Sequence, residues 1–101
     1  MATLLQFDFP FQGPFGAEMT QALDGLARSI AEEPGLLWKI WTENASEGLA
    51  GGIYLFATPE TAAAYAKKHG ERLAGFGITG IRAKIFDVNE GLSRLTRAPD
   101  L

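Results

Sequence analysis

Leu36-Leu-Trp-Lys-Ile-Trp-Thr-Glu43, Asn44-Ala-Ser-Glu-Gly48 and Gly52-Ile-Tyr-Leu-Phe56 read as one β-hairpin in the middle of the chain. Two runs rich in branched and aromatic residues, which favour strands, flank a segment of Asn, Ser and Gly, which turn a chain. The Gly51-Gly52 pair at the head of the second run marks a bulge or a close backbone approach.

Each flank of the hairpin carries one helix and one strand. Thr3 to Phe11 alternates, with Leu5, Phe7, Phe9 and Phe11 on one face and Leu4, Gln6 and Asp8 on the other; period two with aromatic enrichment predicts a strand. Gln12-Gly13-Pro14 breaks it. Phe15, Met19, Ala22, Leu23, Leu26 and Ile30 then recur at helical spacing through Glu33, predicting one helix of about five turns. Gly25 in its middle suggests close packing on a neighbour, and Pro34-Gly35 ends it.

Beyond the hairpin, Thr58-Pro59-Glu60 is a helix start: a capping hydroxyl, a proline at the first helical position and an acid at the positive end of the dipole. The stripe of this helix is Ala62, Tyr65, Ala66, His69 and Leu73, and Gly75, Gly77 and Gly80 mark its exit. Ile78 to Val88 predicts the last strand, and Glu90 to Arg97 a short terminal helix. The order β-α-β-β-α-β predicts an α+β fold of the ferredoxin-like kind, an antiparallel four-stranded sheet with both helices on one face.

A chain of 101 residues fits one domain, residues 1–101. Hydrophobic residues at 47% and charged ones at 21% are ordinary for a folded globule. A net charge of −3, a pI near 5.0 and the absence of a Lys/Arg cluster leave no electrostatic footprint for nucleic acid. Zero cysteines exclude disulfides, thiolate metal sites, iron–sulfur clusters and cysteine nucleophiles. A single histidine excludes any site built from several His ligands, and no metal is expected. No apolar run approaches the roughly 18 residues of a membrane span. The first nine residues lack a basic n-region and reach Asp8 early, so a cytoplasmic protein is expected.

The hairpin strands carry apolar residues on both faces: Trp38 and Ile40 on one side, Leu37 and Trp41 on the other, and Ile53 and Leu55 against Tyr54 and Phe56. A solvated sheet face should alternate with polar residues. No loop is long enough to cover the second face, so a homodimer is expected.

His69 is the one side chain whose ordinary pKa lies near neutrality. Its place between Tyr65 and Leu73 puts it on the sheet-facing stripe, either as a structural residue bonded to the protein or beside a cavity with a lowered pKa. Two Trp, two Tyr and a run of Phe residues pack a core or wall a flat pocket for an aromatic ligand. Trp38 shares that pocket if its side of the strand faces the helices; the opposite parity puts Trp41 there. Gly13-Pro-Phe-Gly16 lacks the Lys and hydroxyl of a phosphate loop.

Phe11-Gln-Gly-Pro-Phe-Gly16, Glu33-Pro-Gly-Leu-Leu-Trp-Lys-Ile-Trp-Thr-Glu43, Gly51-Gly-Ile-Tyr-Leu-Phe56 and Ala83-Lys-Ile-Phe-Asp-Val-Asn-Glu90 resemble the YdhR-type monooxygenase family over nearly the whole chain. That family is similar to the antibiotic-biosynthesis monooxygenases, which form dimeric α+β barrels from two ferredoxin-like subunits. The resemblance implies a barrel homodimer with a pocket between sheet and helices, and a cofactor-independent monooxygenase using O₂ on a small aromatic or phenolic substrate. Better-characterised members use Trp, Tyr and Asn; here Trp38, Tyr54 and Tyr65 are available, while Asn44 and Asn89 sit at strand ends. A haem-degrading branch uses a helix-two His with a strand-one Asn, where this chain offers His69 but Gln6 and Asp8.

The resulting reading makes His69 the base that deprotonates a phenol, Tyr54 or Tyr65 its hydrogen-bond partner and Trp38 the pocket wall. Phe7, Phe9, Phe15, Ile40, Phe56 and Leu73 are the expected substrate contacts. The alternatives are a non-catalytic binding protein for a hydrophobic metabolite or haem and, more distantly, isomerase chemistry on the same barrel.

Overall fold

Alternation along the first strand sets the two faces of the sheet. In the computed structural model, which describes residues 2–101, β1 (Thr3–Pro10) buries Leu5, Phe7 and Phe9 and leaves Gln6 and Pro10 in solvent. It is followed by α1 (Gly16–Ala22), α2 (Asp24–Ala31), β2 (Leu36–Asn44), β3 (Leu49–Phe56), α3 (Pro59–Gly75), β4 (Arg82–Asp87) and α4 (Glu90–Leu95). The strands lie in the order β2-β3-β1-β4, every neighbouring pair antiparallel. This is the expected ferredoxin-like α+β topology, with β1 central because each half of the chain returns its strands to it.

The hairpin forms where its residue types require it. Asn44 Oδ1 accepts from the Glu47 amide at 3.1 Å and from Ser46 Oγ at 3.0 Å, closing the turn between β2 and β3. Thr58 caps α3 by accepting from the Thr61 amide at 3.1 Å, with Pro59 in the first helical turn. The apolar stripe of α3 then buries Ala62, Tyr65, His69 and Leu73 against the sheet. The core on that side holds Leu5, Phe7, Tyr54, Phe56 and Ile30. Lys68 pairs with Glu33 at 2.7 Å, tying the segment after α2 to α3.

Three expectations change. The single helix from Phe15 to Glu33 is two, α1 and α2, separated at Leu23, whose backbone (φ −105°, ψ 10°) leaves the helical region. Apolar periodicity runs on through the break, which is why the sequence reads as one helix. Gly25 packs on nothing: a Cβ there would meet open space, so close approach is not its role. The last strand is Arg82–Asp87 rather than Ile78 to Val88; Gly80, at φ +70°, turns the chain just before it. Ile78 and Ile81 instead pack on the core from the connecting segment.

No helix among the described residues is long and apolar enough to cross a membrane. Because Gly25 contributes conformational entropy to the unfolded chain and no packing to the folded one, Gly25→Ala should stabilise the protein by roughly 0.5–1 kcal/mol. Urea denaturation should show a higher midpoint at unchanged slope. A lowered midpoint would show that the glycine serves the break at Leu23.

Candidate functional site

One residue decides which side chains of β2 face the helices. Leu36 pairs with Phe56 but Trp38 with Leu55, so Leu37 is an extra residue in a β-bulge. The bulge reverses the parity of the strand beyond it. Lys39 and Trp41 stand opposite Tyr54 and Gly52 on the helix side, while Trp38 and Ile40 stand opposite Leu55 and Ile53 on the other.

The expected placement of Trp38 as pocket wall and Ile40 as substrate contact is therefore corrected. Both lie across the sheet from His69, Ile40 56% exposed, and the Trp38 indole nitrogen is buried without a hydrogen-bond partner. Trp41 takes the place beside His69, as the opposite parity requires. The bulge that decides this sits at Leu37, not at the Gly51-Gly52 pair, whose pairing is regular. The glycines serve close approach: a Cβ on Gly52 would lie 2.5 Å from Lys39 Cε and 3.3 Å from the Tyr54 ring. Bare backbone at Gly52 gives the lysine its path across the sheet.

The cavity between sheet and helices has a volume of about 80 Å³. Lys39, Trp41, Tyr54 and Phe9 wall it from the sheet, His69 and Leu73 from α3, and Met19, Leu23 and Leu26 from α1, α2 and the turn between them. Of the expected substrate contacts, Phe9 and Leu73 line it. Phe7 lies beneath, edge-on to His69 at 5.3 Å and to Tyr54 at 6.0 Å. Phe56 stacks behind Tyr54 in the core, and Phe15 packs edge-on to Phe11, outside the lining. A void of roughly 150 Å³ is what admits a benzene ring, so an aromatic ligand enters only as the wall side chains give way. Leu23 and Leu26, at and just beyond the helix break, are part of that wall.

His69 is buried, stacked on Tyr65 with ring centroids 5.1 Å apart. Its Nδ1 accepts from Arg72, 2.9 Å from Nη2 and 3.2 Å from Nε. A guanidinium only donates, so Nδ1 has no proton and Nε2 carries it. Among the described residues Nε2 has no hydrogen-bond partner, which leaves an N–H donor at the cavity wall. Burial, with the positive charges of Lys39 and Arg72, pushes the His69 pKa down to about 3. The acceptor nitrogen is occupied and the ring resists protonation. His69 thus stands at the cavity as expected but as a donor, not as a base.

Lys39 is a cavity residue that the sequence pattern did not single out. Its ammonium nitrogen lies 3.2 Å from the Trp41 ring centroid and 4.6 Å from that of Tyr54. Burial, and secondarily the charge of Arg72, lowers its pKa to about 7. Tyr65 donates to Tyr54 at 3.4 Å, and burial raises both phenols above the ordinary tyrosine value, so both are neutral. No group of three or more metal-ligating side chains forms among the described residues.

A family model described as "Putative mono-oxygenase ydhR" matches residues 4–99. The chain belongs to this family. No curated protein matches this ydhR-family chain. Solved structures share its fold, among them the following two. One, described as a "putative antibiotic biosynthesis monooxygenase" from Deinococcus radiodurans, is 14% identical with a TM-score of 0.58, covering 88% of this chain and 93% of its own. The other is a point variant of SnoaB, a cofactor-independent oxygenase from Streptomyces nogalater. It is 14% identical with a TM-score of 0.61, covering 87% of this chain and 93% of its own.

The depressed pKa of His69 fixes a pH dependence. An unfolded imidazole titrates near 6.5 and the folded one near 3. Between those values the unfolded chain binds the extra proton. Stability from this group is therefore complete above pH 6.5 and declines as pH falls toward 3. At pH 5 the loss amounts to about 2 kcal/mol. Urea unfolding at pH 7 and pH 5 should show that difference in the natural protein and a much smaller one in His69→Gln.

Proposed function

We propose that this ydhR-family chain is a cofactor-independent monooxygenase acting on a small aromatic or phenolic substrate held between sheet and helices. The observation that carries the reading is the composition of the cavity. Its walls are aromatic and aliphatic, and its polar side chains include an N–H of His69 and the amine of Lys39, with no carboxylate among them. Such a site favours a flat apolar molecule that becomes an anion. A phenolate or enolate is electron-rich enough to pass an electron to O₂ directly, and a dry wall protects the intermediates from water.

For an anthrone-type substrate the balance is complete without a further reductant. The reacting CH₂ loses both hydrogens and gains one oxygen atom as a carbonyl, and the second oxygen atom leaves with those hydrogens as water. Trp41 takes the wall role first expected of Trp38. Tyr54, neutral and accepting from the Tyr65 hydroxyl behind it, serves as a hydrogen-bond donor rather than a base. The family membership supports the oxygenase reading, as does the cofactor-independent oxygenase activity of SnoaB, which shares the fold.

Oxygen-electrode assays with anthrones and hydroquinones should give O₂ uptake matched by equimolar quinone. Trp41→Ala should reduce turnover at least tenfold. Absence of uptake above buffer across the panel would remove the proposal.

We also read the outer face of the sheet as a homodimer interface of this one-domain chain. Ile40 and Phe86 are 56% and 45% exposed there, beside half-buried Ile53. Sedimentation should give about twice the 10.9 kDa chain mass, and Ile40→Glu should shift it to the monomer.

A further inference from the structure

Lys39 poses the clearest unanswered question in the molecule. A half-buried ammonium normally has a carboxylate beside it; among the described residues Lys39 has neither an ion pair nor a hydrogen bond. Every neighbour makes the lack worse or leaves it unrelieved. From α3 come Arg72, a second cation, and the N–H of His69; from β3 comes the neutral Tyr54; from β2 comes the ring of Trp41. Met19, Leu23 and Leu26 close the helix side without a charge. The rings of Trp41 and Tyr54 receive the positive charge on their faces but offer no lone pair. Gly52, by having no Cβ, keeps open the path along which the side chain runs.

We propose that Lys39 is the catalytic base of the cavity and the counter-charge for the anion it generates. The amine takes the proton from a phenolic or enolic O–H, or from the carbon next to its carbonyl; the electron pair stays on the substrate, and the resulting ammonium pairs with the oxyanion. The His69 N–H supplies a second donor for that oxyanion, and Arg72, by occupying Nδ1, is the positioning residue that keeps the donor pointed into the cavity. The inference rests on the phenolic-substrate reading and adds the group that performs its first step. Near neutrality a lysine titrating at about 7 has the free amine substantially populated, whereas an ordinary surface lysine does not.

The test separates the base from the oxygen chemistry. The probe is 4-nitrophenol, whose phenolate is coloured, titrated into the whole protein one pH unit below the dye's own pKa. The natural protein should bind it as the phenolate. Lys39→Met, of similar length and apolar, should bind it as the uncoloured phenol. Lys39→Arg should recover the colour, because a guanidinium supplies charge, yet leave turnover at least about a hundredfold down, because it accepts no proton. The rate of the natural protein should rise with pH through about 7, and this rise should vanish in both variants.

Should Lys39→Met fold poorly, Gly52→Ala moves the same amine without replacing it, and the bound dye should again lose its colour. Uncoloured bound dye in the natural protein, or equal colour in Lys39→Met, overturns the role of Lys39. Oxygen uptake that persists in Lys39→Met overturns it too, while leaving the oxygenase reading intact. Lys39-dependent colour without any oxygen uptake sustains Lys39 as the counter-charge of a bound anion and overturns both the oxygenase reading and the base role.

Discussion

The extra residue at Leu37 governs which chemistry faces the helices. Side chains on a strand alternate, so inserting one residue exchanges the whole set beyond it. Without the bulge, β2 would present Trp38 and Ile40 to His69 and turn Lys39 and Trp41 outward. With it, an amine and an indole enter the cavity, and a second tryptophan goes to the opposite face. The exchange keeps apolar bulk on both faces of β2, so the fold tolerates either parity while the cavity does not.

Once Lys39 faces inward, the rest of the site adjusts to an excess of positive charge. Lys39 from the sheet faces His69 and its neighbour Arg72 from α3 across a low-dielectric region, where like charges repel strongly. The conflict is relieved by neutralisation: His69 is held uncharged by burial and by its two cationic neighbours, and Lys39 is brought near the point of losing its proton. Arg72 donates to His69 Nδ1. The cost falls on folding stability, as it does where strain or mismatch is kept at a working site. Aromatic faces lessen it, since Trp41 and Tyr54 receive the ammonium where no carboxylate stands.

The cover over the cavity is of a different character from its floor. The floor is sheet, with continuous antiparallel pairing across β2, β3 and β1. The cover is two short helices broken at Leu23, with no side-chain cap at either N-terminus. α1 is held instead by its Gly16 amide, which donates to the Glu43 carboxylate from β2 at 2.8 Å. A rigid floor presenting the chemistry beneath a loosely made cover suits a cavity that must enlarge to take a ring.

Local pattern determined the element order, the hairpin, the capped helix with His69 on its buried stripe and the one-faced character of β1. In each case a few adjacent residues carry the signal: alternation in Thr3–Pro10, turn chemistry at Asn44–Gly48, and a hydroxyl, proline and acid at Thr58–Glu60. The resemblance in motif supplied the family. Two things were decided only in three dimensions. The parity of β2 depends on a bulge that leaves no mark in Leu36-Leu37-Trp38, because every residue there suits either face. The acid–base roles depend on what meets what: Arg72 reaches His69 within one helix, but Lys39 reaches the same pocket from a strand some thirty residues earlier. Spacing along a chain fixes which face a side chain takes only while the strand stays regular, and it fixes no pKa, since burial and neighbouring charge come from the packing of distant segments.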